Sequence, residues 1–536
     1  MDPFRKLSFM KKISKISWER FKKSDDGRDA ISTFEMLASD ACSPSQVLNV
    51  AKIINPDYFS NISAGDLDWM QGIIGYHFNM VPNVMKAMNF TEDESRTYDE
   101  LYVCAMIASI EDTMGVDLYG KMLTEIPQSS FKMILHHNIW LTTALYSYFP
   151  DFYIPNLFPM QFIYLKKFAE KYEIELPGIP NRSDYFARNE YWFEVNVLLH
   201  QFASENELNS GAELCAFIYY YELPLLKEEL INEKNQDMPE YPGQAWILVG
   251  NYGNGEKDME HGFWQANQLT KKGDILLFYE KSPVKALNSI WIAQEDGVVD
   301  PFFYYYSNTY IGDRIIIPND QSVTFNDFKS SEYFKNRDKT GNYVSKNFQD
   351  VSGWEVTSED YEEIKRILAA KGFDTNTLPS LYEPNKIGDV HIANENDVSE
   401  LLLMPLLEQM GWHQNRDYRR EVHFNAGRGE TGADVDKRPD FCLHIKENND
   451  DIESKVVIEV KEFMKNEREL HANFVQGRSY AKWGNAKVLV LCDKKQILVY
   501  QRDAKNSFSE SKAIHFSWFD MENTDKYNEL KRLLSR

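Results

Sequence analysis

Apolar residues recur at helical spacing from about residue 28 to 235, as in DELYVCAMIASIEDTMGVDLYGKMLTEI and EYWFEVNVLLHQFASENEL, so this stretch predicts an all-helical region. Pro150, Pro155, Pro159, Pro177 and Pro180 punctuate it and divide it into two helical layers. The pattern changes after the charged segment NEKNQDMPEYPG. AWILVGNY, KKGDILLFYEK, LNSIWIAQE, FFYYYS and DRIIIP read as short strands bounded by turn residues, and SEDYEEIKRILAAKGF closes this β-rich part as a helix. DTNTLPSLYEPNKIGDV reads as a linker. Beyond it come an amphipathic helix, ENDVSELLLMPLLEQM, either kinked or restarted at Pro405, and a hairpin within KRPDFCLHIKENNDDIESKVVIEVKEFMK. A helix from about Arg468 to Lys482 and the strands KVLVLCD and QILVYQR follow.

The expected fold class is therefore multidomain α and α/β. Residues 1–235 form an all-helical region without an assigned role, 243–372 a β-rich domain, 373–390 a linker and 391–536 an α/β domain. Length agrees, since 536 residues exceed what one core supports. A formal net charge of −23 argues against non-specific coating of nucleic acid, which local basic patches would have to override. Cys42, Cys104, Cys215, Cys442 and Cys492 are scattered, with no Cys-x-x-Cys pair, which fits a reducing compartment and makes zinc a poor expectation. No apolar run is long enough to span a bilayer and the basic amino terminus lacks a signal-peptide core, so the expected location is the cytoplasm, with no membrane partner.

The chemistry concentrates in VVIEVKEF. Val457, Glu459 and Lys461 share one strand face because side chains alternate with a period of two. Asp440 begins or precedes the neighbouring strand, so two carboxylates and an ammonium converge at the strand ends. Such a set suits Mg²⁺, which prefers oxygen ligands and retains waters. The plainer alternative is a solvated Glu459–Lys461 pair on an edge strand; the apolar flanks favour a central strand, where an unpaired charge is costly.

Pro439-Asp440 followed by Glu459-Val460-Lys461 resembles the PD-(D/E)xK nuclease superfamily. Two further elements stand in family order. Glu400 lies in a preceding helix, as in the resolvase-like branch, with Glu395 the competing choice for the helix acid. Gln476-Gly477-Arg478-Ser479-Tyr480 matches the Gln-x-x-x-Tyr of the branch like RecB and the type I restriction subunits. The resemblance implies phosphodiester cleavage with Mg²⁺, for which Mn²⁺ can substitute. Asp440, Glu459 and Glu400 would bind the metal, Lys461 would serve the water, and Gln476 and Tyr480 would support the site or the DNA. Arg416, Arg419, Arg420, Arg428, Lys437, Arg438, Arg478 and Lys482 either supply phosphate contacts or are scattered solubilising charges.

Residues from about Gln244 to Leu368 resemble, in the order and spacing of their strands, the EVE domain of the PUA-like class. That resemblance implies a small barrel with a pocket for a flipped modified base, with Trp264 as one aromatic wall, Tyr279 as a second and Asn251 at the mouth. Alternatively, Trp264 fills the barrel core. Together the two resemblances imply a modification-dependent, type IV-like restriction endonuclease of anti-phage defence. Its partner would be DNA carrying modified bases, modified cytosine foremost, and it would act as a homodimer. An RNA-directed nuclease and a non-catalytic nucleic-acid-binding protein with a structural nuclease fold are the alternatives.

Overall fold

In the computed structural model the chain is mixed α/β with two sheets, one of which curls into a half-barrel. The structure describes residues 10–39, 42–59, 62, 64–91, 96–118, 121–234, 242–251, 261–337, 343–388, 390–424, 438–448, 451–503 and 506–535. Two compact units account for the chain. The first comprises Met1–Glu240, Ala245–Val356 and Glu363–Leu378; the second comprises Tyr241–Gln244, Thr357–Glu362 and Pro379–Arg536. Among the described residues no helix is long and apolar enough to cross a membrane.

The expected helical region of the first unit is helical from Lys15 onward. Three of its helices start where a side chain satisfies one of the first free amides. Ser24 accepts from Gly27, Ser43 and Gln46 form a reciprocal capping box ahead of Pro44, and Asp184 accepts from Ala187. A π-turn at Phe217–Glu222 precedes Pro224. Such a widened turn accommodates a proline whose ring would otherwise press on the carbonyl four residues earlier. The core is aromatic, with Trp140, Trp192, Tyr102 and Tyr146 buried.

His77 and His137 are buried in that core and His200 is half-buried, each with Nε2 lacking a hydrogen-bond partner. Burial holds His77 and His137 down to about 3 and His200 to about 4, while burial pushes Asp300 up to about 7. A histidine neutral in the fold contributes stability that is complete above its unfolded value of 6.5 and is lost as pH falls below it; the aspartate acts oppositely. Three histidines against one aspartate leave about two protons taken up on unfolding near pH 5.5. The first unit is expected to lose about 2–3 kcal/mol for each pH unit in that range. Urea midpoints across a pH series check this, and a flat series would refute it.

The first sheet contains β1 (Ala245–Gly250), β2 (Gly262–Gln265), β3 (Ile275–Glu280), β4 (Ala286–Ala293), β5 (Val298–Val299), β6 (Ser307–Ile316), β7 (Val323–Thr324) and β8 (Trp354–Val356). Its order is β2-β6-β4-β3-β1-β8, with β5 on β6 and β7 on β4. The strands expected in AWILVGNY, KKGDILLFYEK and LNSIWIAQE are present. FFYYYS is not a strand: residues 301–306 turn, and β6 begins at Ser307. Asp300 accepts from the amides of Phe302 and Phe303, and Phe302 inserts among Phe162, Tyr191 and Trp192 of the helices. Phe302 therefore joins the helical core instead of a sheet, while Phe303, Tyr304, Tyr305 and Tyr306 line a cleft.

The second unit holds β9 (Tyr418–Arg420), β10 (Phe441–Asn448), β11 (Asp451–Val460), β12 (Val488–Cys492), β13 (Gln496–Gln501) and β14 (Ile514–Ser517), in the order β14-β13-β12-β11-β10-β9. β10 and β11 form the expected hairpin. β11 and β12 run parallel, which requires a crossover, and the helix Glu467–Trp483 supplies it. β11 is thus an interior strand, which removes the edge-strand alternative. At Gly477 a Cβ would stand 2.9 Å from Leu489, so the missing side chain lets this helix lie close on the sheet. The stretch ENDVSELLLMPLLEQM is helical, with a π-turn at Ser399–Leu403 followed by the α-helical segment Met404–Gln409, in which Pro405 is the second residue.

Candidate active site

The hairpin register pairs Phe441 with Ile458, and one step further sets Asp440 opposite Glu459. Residues directly opposite share a face, so the two carboxylates face the same side. Val457 and Cys442 lie on that face, packed with Phe474 and Ala481 of the crossover helix. Phe441, Ile458 and Val460 face the other way, into the core formed with Leu403, Leu407 and Trp518. Glu459 is only 2% exposed, carried on the buried, otherwise apolar second half of β11, residues 456–460.

Each group is held by a named contact. Asp440 Oδ2 accepts from the Val460 amide at 2.6 Å. Lys461 Nζ donates to Glu459 Oε1 at 2.8 Å and to the Val460 carbonyl at 2.8 Å. Gln476 Nε2 donates to Glu459 Oε1 at 2.8 Å and to the Tyr480 hydroxyl at 3.0 Å. Glu459, Lys461, Gln476 and Tyr480 are therefore one connected network, which Asp440 joins through the Val460 backbone. The other Glu459 oxygen, Oε2, is buried with no hydrogen-bond partner. Burying a carboxylate oxygen without a partner is costly, and such costs concentrate where chemistry needs them.

The electrostatics follow from crowding acids in a dry place. Burial, then the Asp440 charge, push Glu459 up to about 7. Burial likewise raises Asp440, against the pull of the Val460 amide and Lys461. Burial would lower the Lys461 ammonium, but the charges of Glu459, Asp440 and Glu395 outweigh it and raise the group.

The helix acid is where expectation and placement part. Glu400 is exposed and bonded to Arg420, whose guanidinium lies over Phe441, so it takes no part in the network. Glu395, the competing choice, sits 3.6 Å from Lys461 Nζ and senses the Asp440 charge. The basic residues proposed for phosphate are also partly committed: Arg416 pairs with Asp417, Arg419 with Glu447 and Arg420 with Glu400. Arg478 lies over Phe474. Arg428 and Lys437 fall outside the described residues.

No group of three His, Cys, Asp or Glu side chains among the described residues is close enough to hold a metal ion. The donor set still suits one: hard oxygen ligands, one of them an orphaned buried carboxylate oxygen, in a pair whose ionisation burial opposes. A cation would relieve both costs.

In the first unit Trp264 stands on β2 with its ring edge-on to Phe278 at 5.0 Å. A Cβ at Gly250 would come within 2.3 Å of the indole, so only glycine lets the ring lie across the end of β1. Trp264 packs on the sheet core formed by Trp246, Phe278 and Trp291, and also lines a cleft of about 1260 Å³. Tyr279 is not a second wall. One residue beyond Phe278, it points to the opposite face, is 4% exposed and stacks on Phe348 at 3.7 Å. Trp354, which the sequence reading did not single out, lines the cleft with Trp264. Asn251 is exposed at the end of β1 and is not a lining residue; residues 252–260 after it lie outside the described residues.

No family model, curated protein or solved structure matches this chain.

Proposed function

We propose that the chain is a Mg²⁺-dependent endonuclease of the PD-(D/E)xK class whose first sheet is a PUA-like, EVE-type reader of a modified DNA base, modified cytosine foremost. The observation that carries this reading is the cluster at the end of a central strand: Asp440 held on the Val460 amide beside Glu459, Lys461 on Glu459, and Glu459 Oε2 buried without a partner.

Asp440 and Glu459 would hold the ion, which when bound supplies positive charge to the scissile phosphate and an acidified water. The chain's own groups do the rest. The Lys461 ammonium orients the attacking water and stabilises charge growing on phosphorus. Gln476, braced by Tyr480, fixes the Glu459 carboxylate, and Glu395 holds Lys461 from the other side. On the reader side Trp264 restores stacking to an extruded base, worth about 1–3 kcal/mol. A homodimer would bring two such sites to the two strands of a duplex. Restriction of modified phage DNA in the cytoplasm is the corresponding biological role.

The test is cleavage of plasmids carrying unmodified, methylated or hydroxymethylated cytosine, and of matched RNA, with Mg²⁺ or EDTA. Cutting confined to modified DNA with Mg²⁺ is the expected result. RNA cutting would favour the RNA-directed alternative, and binding without cutting the non-catalytic one. Within the active series, Glu395→Gln is expected to slow cleavage about tenfold or more by freeing Lys461, while Glu400→Gln stays within about twofold of wild type. The reverse ranking would return the helix-acid role to Glu400.

A further inference from the structure

The cleft beside Trp264 is not made by the sheet alone. Its far wall comes from the helical residues, with Lys132, Arg182 and Tyr185 lining it, while Trp264, Trp354 and Lys281 line it from the sheet side. The segment 301–306 closes the gap and is bolted to the helices. Arg188, fully buried, donates to the carbonyls of Pro301 at 3.0 Å and Phe303 at 2.5 Å, and the Tyr306 hydroxyl donates to the Pro180 carbonyl at 2.7 Å.

Charge and size point to the occupant. Among the described residues the cleft carries three cations, Lys132, Arg182 and Lys281, against one carboxylate, Asp350, in a chain whose net charge is −23. A local reversal of sign in a concave place focuses attraction on an anion. At about 1260 Å³ the space exceeds the roughly 300–1,000 Å³ typical of small-ligand pockets and has room for a base together with flanking backbone. Aromatic walls beside cations suit a nucleotide strand, which presents ring faces and phosphates together. Lys132 Nζ lies 4.6 Å over the Tyr304 ring, and Arg182 is exposed.

We propose that the helical region completes the reader: Lys132 and Arg182 clamp the DNA phosphates that flank the nucleotide whose base stacks on Trp264. This rests on the reading of Trp264 as a base-stacking wall, and it gives the helical region, otherwise without a role, a share in substrate binding. The clamp reads backbone and not sequence, so it sets affinity and register while the sheet side sets preference for the modification.

The experiment is fluorescence anisotropy of the full-length protein with modified and unmodified duplexes in EDTA, across a salt series. Lys132→Glu with Arg182→Glu is expected to weaken binding to both duplexes about tenfold or more and to reduce the log–log salt slope by roughly two. Trp264→Ala is expected to lose the preference for the modified duplex and to keep the slope. Arg182→Glu alone, on an exposed side chain, keeps the test valid if the Lys132 change disturbs packing on Tyr304, and should lower the slope by roughly one. Wild-type affinity and slope in the charge-reversed proteins, with Trp264→Ala still losing preference, would overturn the clamp and leave the reader standing. Absence of DNA binding by the wild-type protein would overturn both.

Discussion

Asp440→Asn and Lys461→Ala are each expected to reduce Mg²⁺-dependent cleavage by about a thousandfold or more while leaving DNA binding in EDTA within about twofold of wild type. Asp440 is opposite Glu459 in the hairpin register, so its loss halves the carboxylate pair. In Asp440→Asn the carboxamide oxygen could still accept from the Val460 N–H, which keeps the hairpin intact and isolates the loss of charge. Lys461 contacts Glu459 Oε1 and the Val460 carbonyl; its removal leaves a buried carboxylate without its ammonium as well as the water without its orienting group. The two variants should differ in stability. Asp440→Asn removes repulsion from Glu459 and should melt no lower than wild type, whereas Lys461→Ala should melt lower. Plasmid nicking rates and thermal melts on the same preparations check both statements. Cleavage at wild-type rate by both variants would place the chemistry elsewhere.

The second large effect is on stability. Arg188→Leu is expected to cost the first unit about 3–5 kcal/mol, because a buried, multiply bonded charge is being removed from partners that stay behind. Three carbonyls, of Arg182, Pro301 and Phe303, would lose their donor. Asp300, already pushed up to about 7 by burial, would also lose the nearby guanidinium that pulls it down. Adding Asp300→Asn to Arg188→Leu should recover part of the loss, since the amide carries no charge to bury. Urea denaturation of the two variants measures this, and an unchanged midpoint in Arg188→Leu would show that the 301–306 segment is held without the arginine, by the aromatic neighbours of Phe302 and the Tyr306–Pro180 bond.

The chain's own pattern determined a good deal. Period-two alternation placed Val457 and Glu459 on one face of β11, with Lys461 just past its end and bonded to Glu459, and the polar stretch KENNDDIES implied the hairpin that brings Asp440 to them. Gln476 and Tyr480, four residues apart, had to share a helical face, and they do. These are local consequences of backbone geometry, legible wherever one regular element carries the whole relation.

Tertiary structure decided the rest, where a relation passes through an irregular turn or a distant contact. Glu395 and Glu400 straddle the start of the π-turn at Ser399–Leu403, which resets the helical phase, so no wheel of constant pitch could tell which acid reaches Lys461. Tyr279 lost its place to a one-residue difference of strand parity: Phe278 faces Trp264 and Tyr279 faces Phe348. FFYYYS reads as a strand by composition, yet a buried arginine more than a hundred residues earlier claims its carbonyls and folds it into a turn. The cleft wall of Lys132 and Arg182 depends on that same docking, because side chains far apart in sequence become one surface only after the chain has packed.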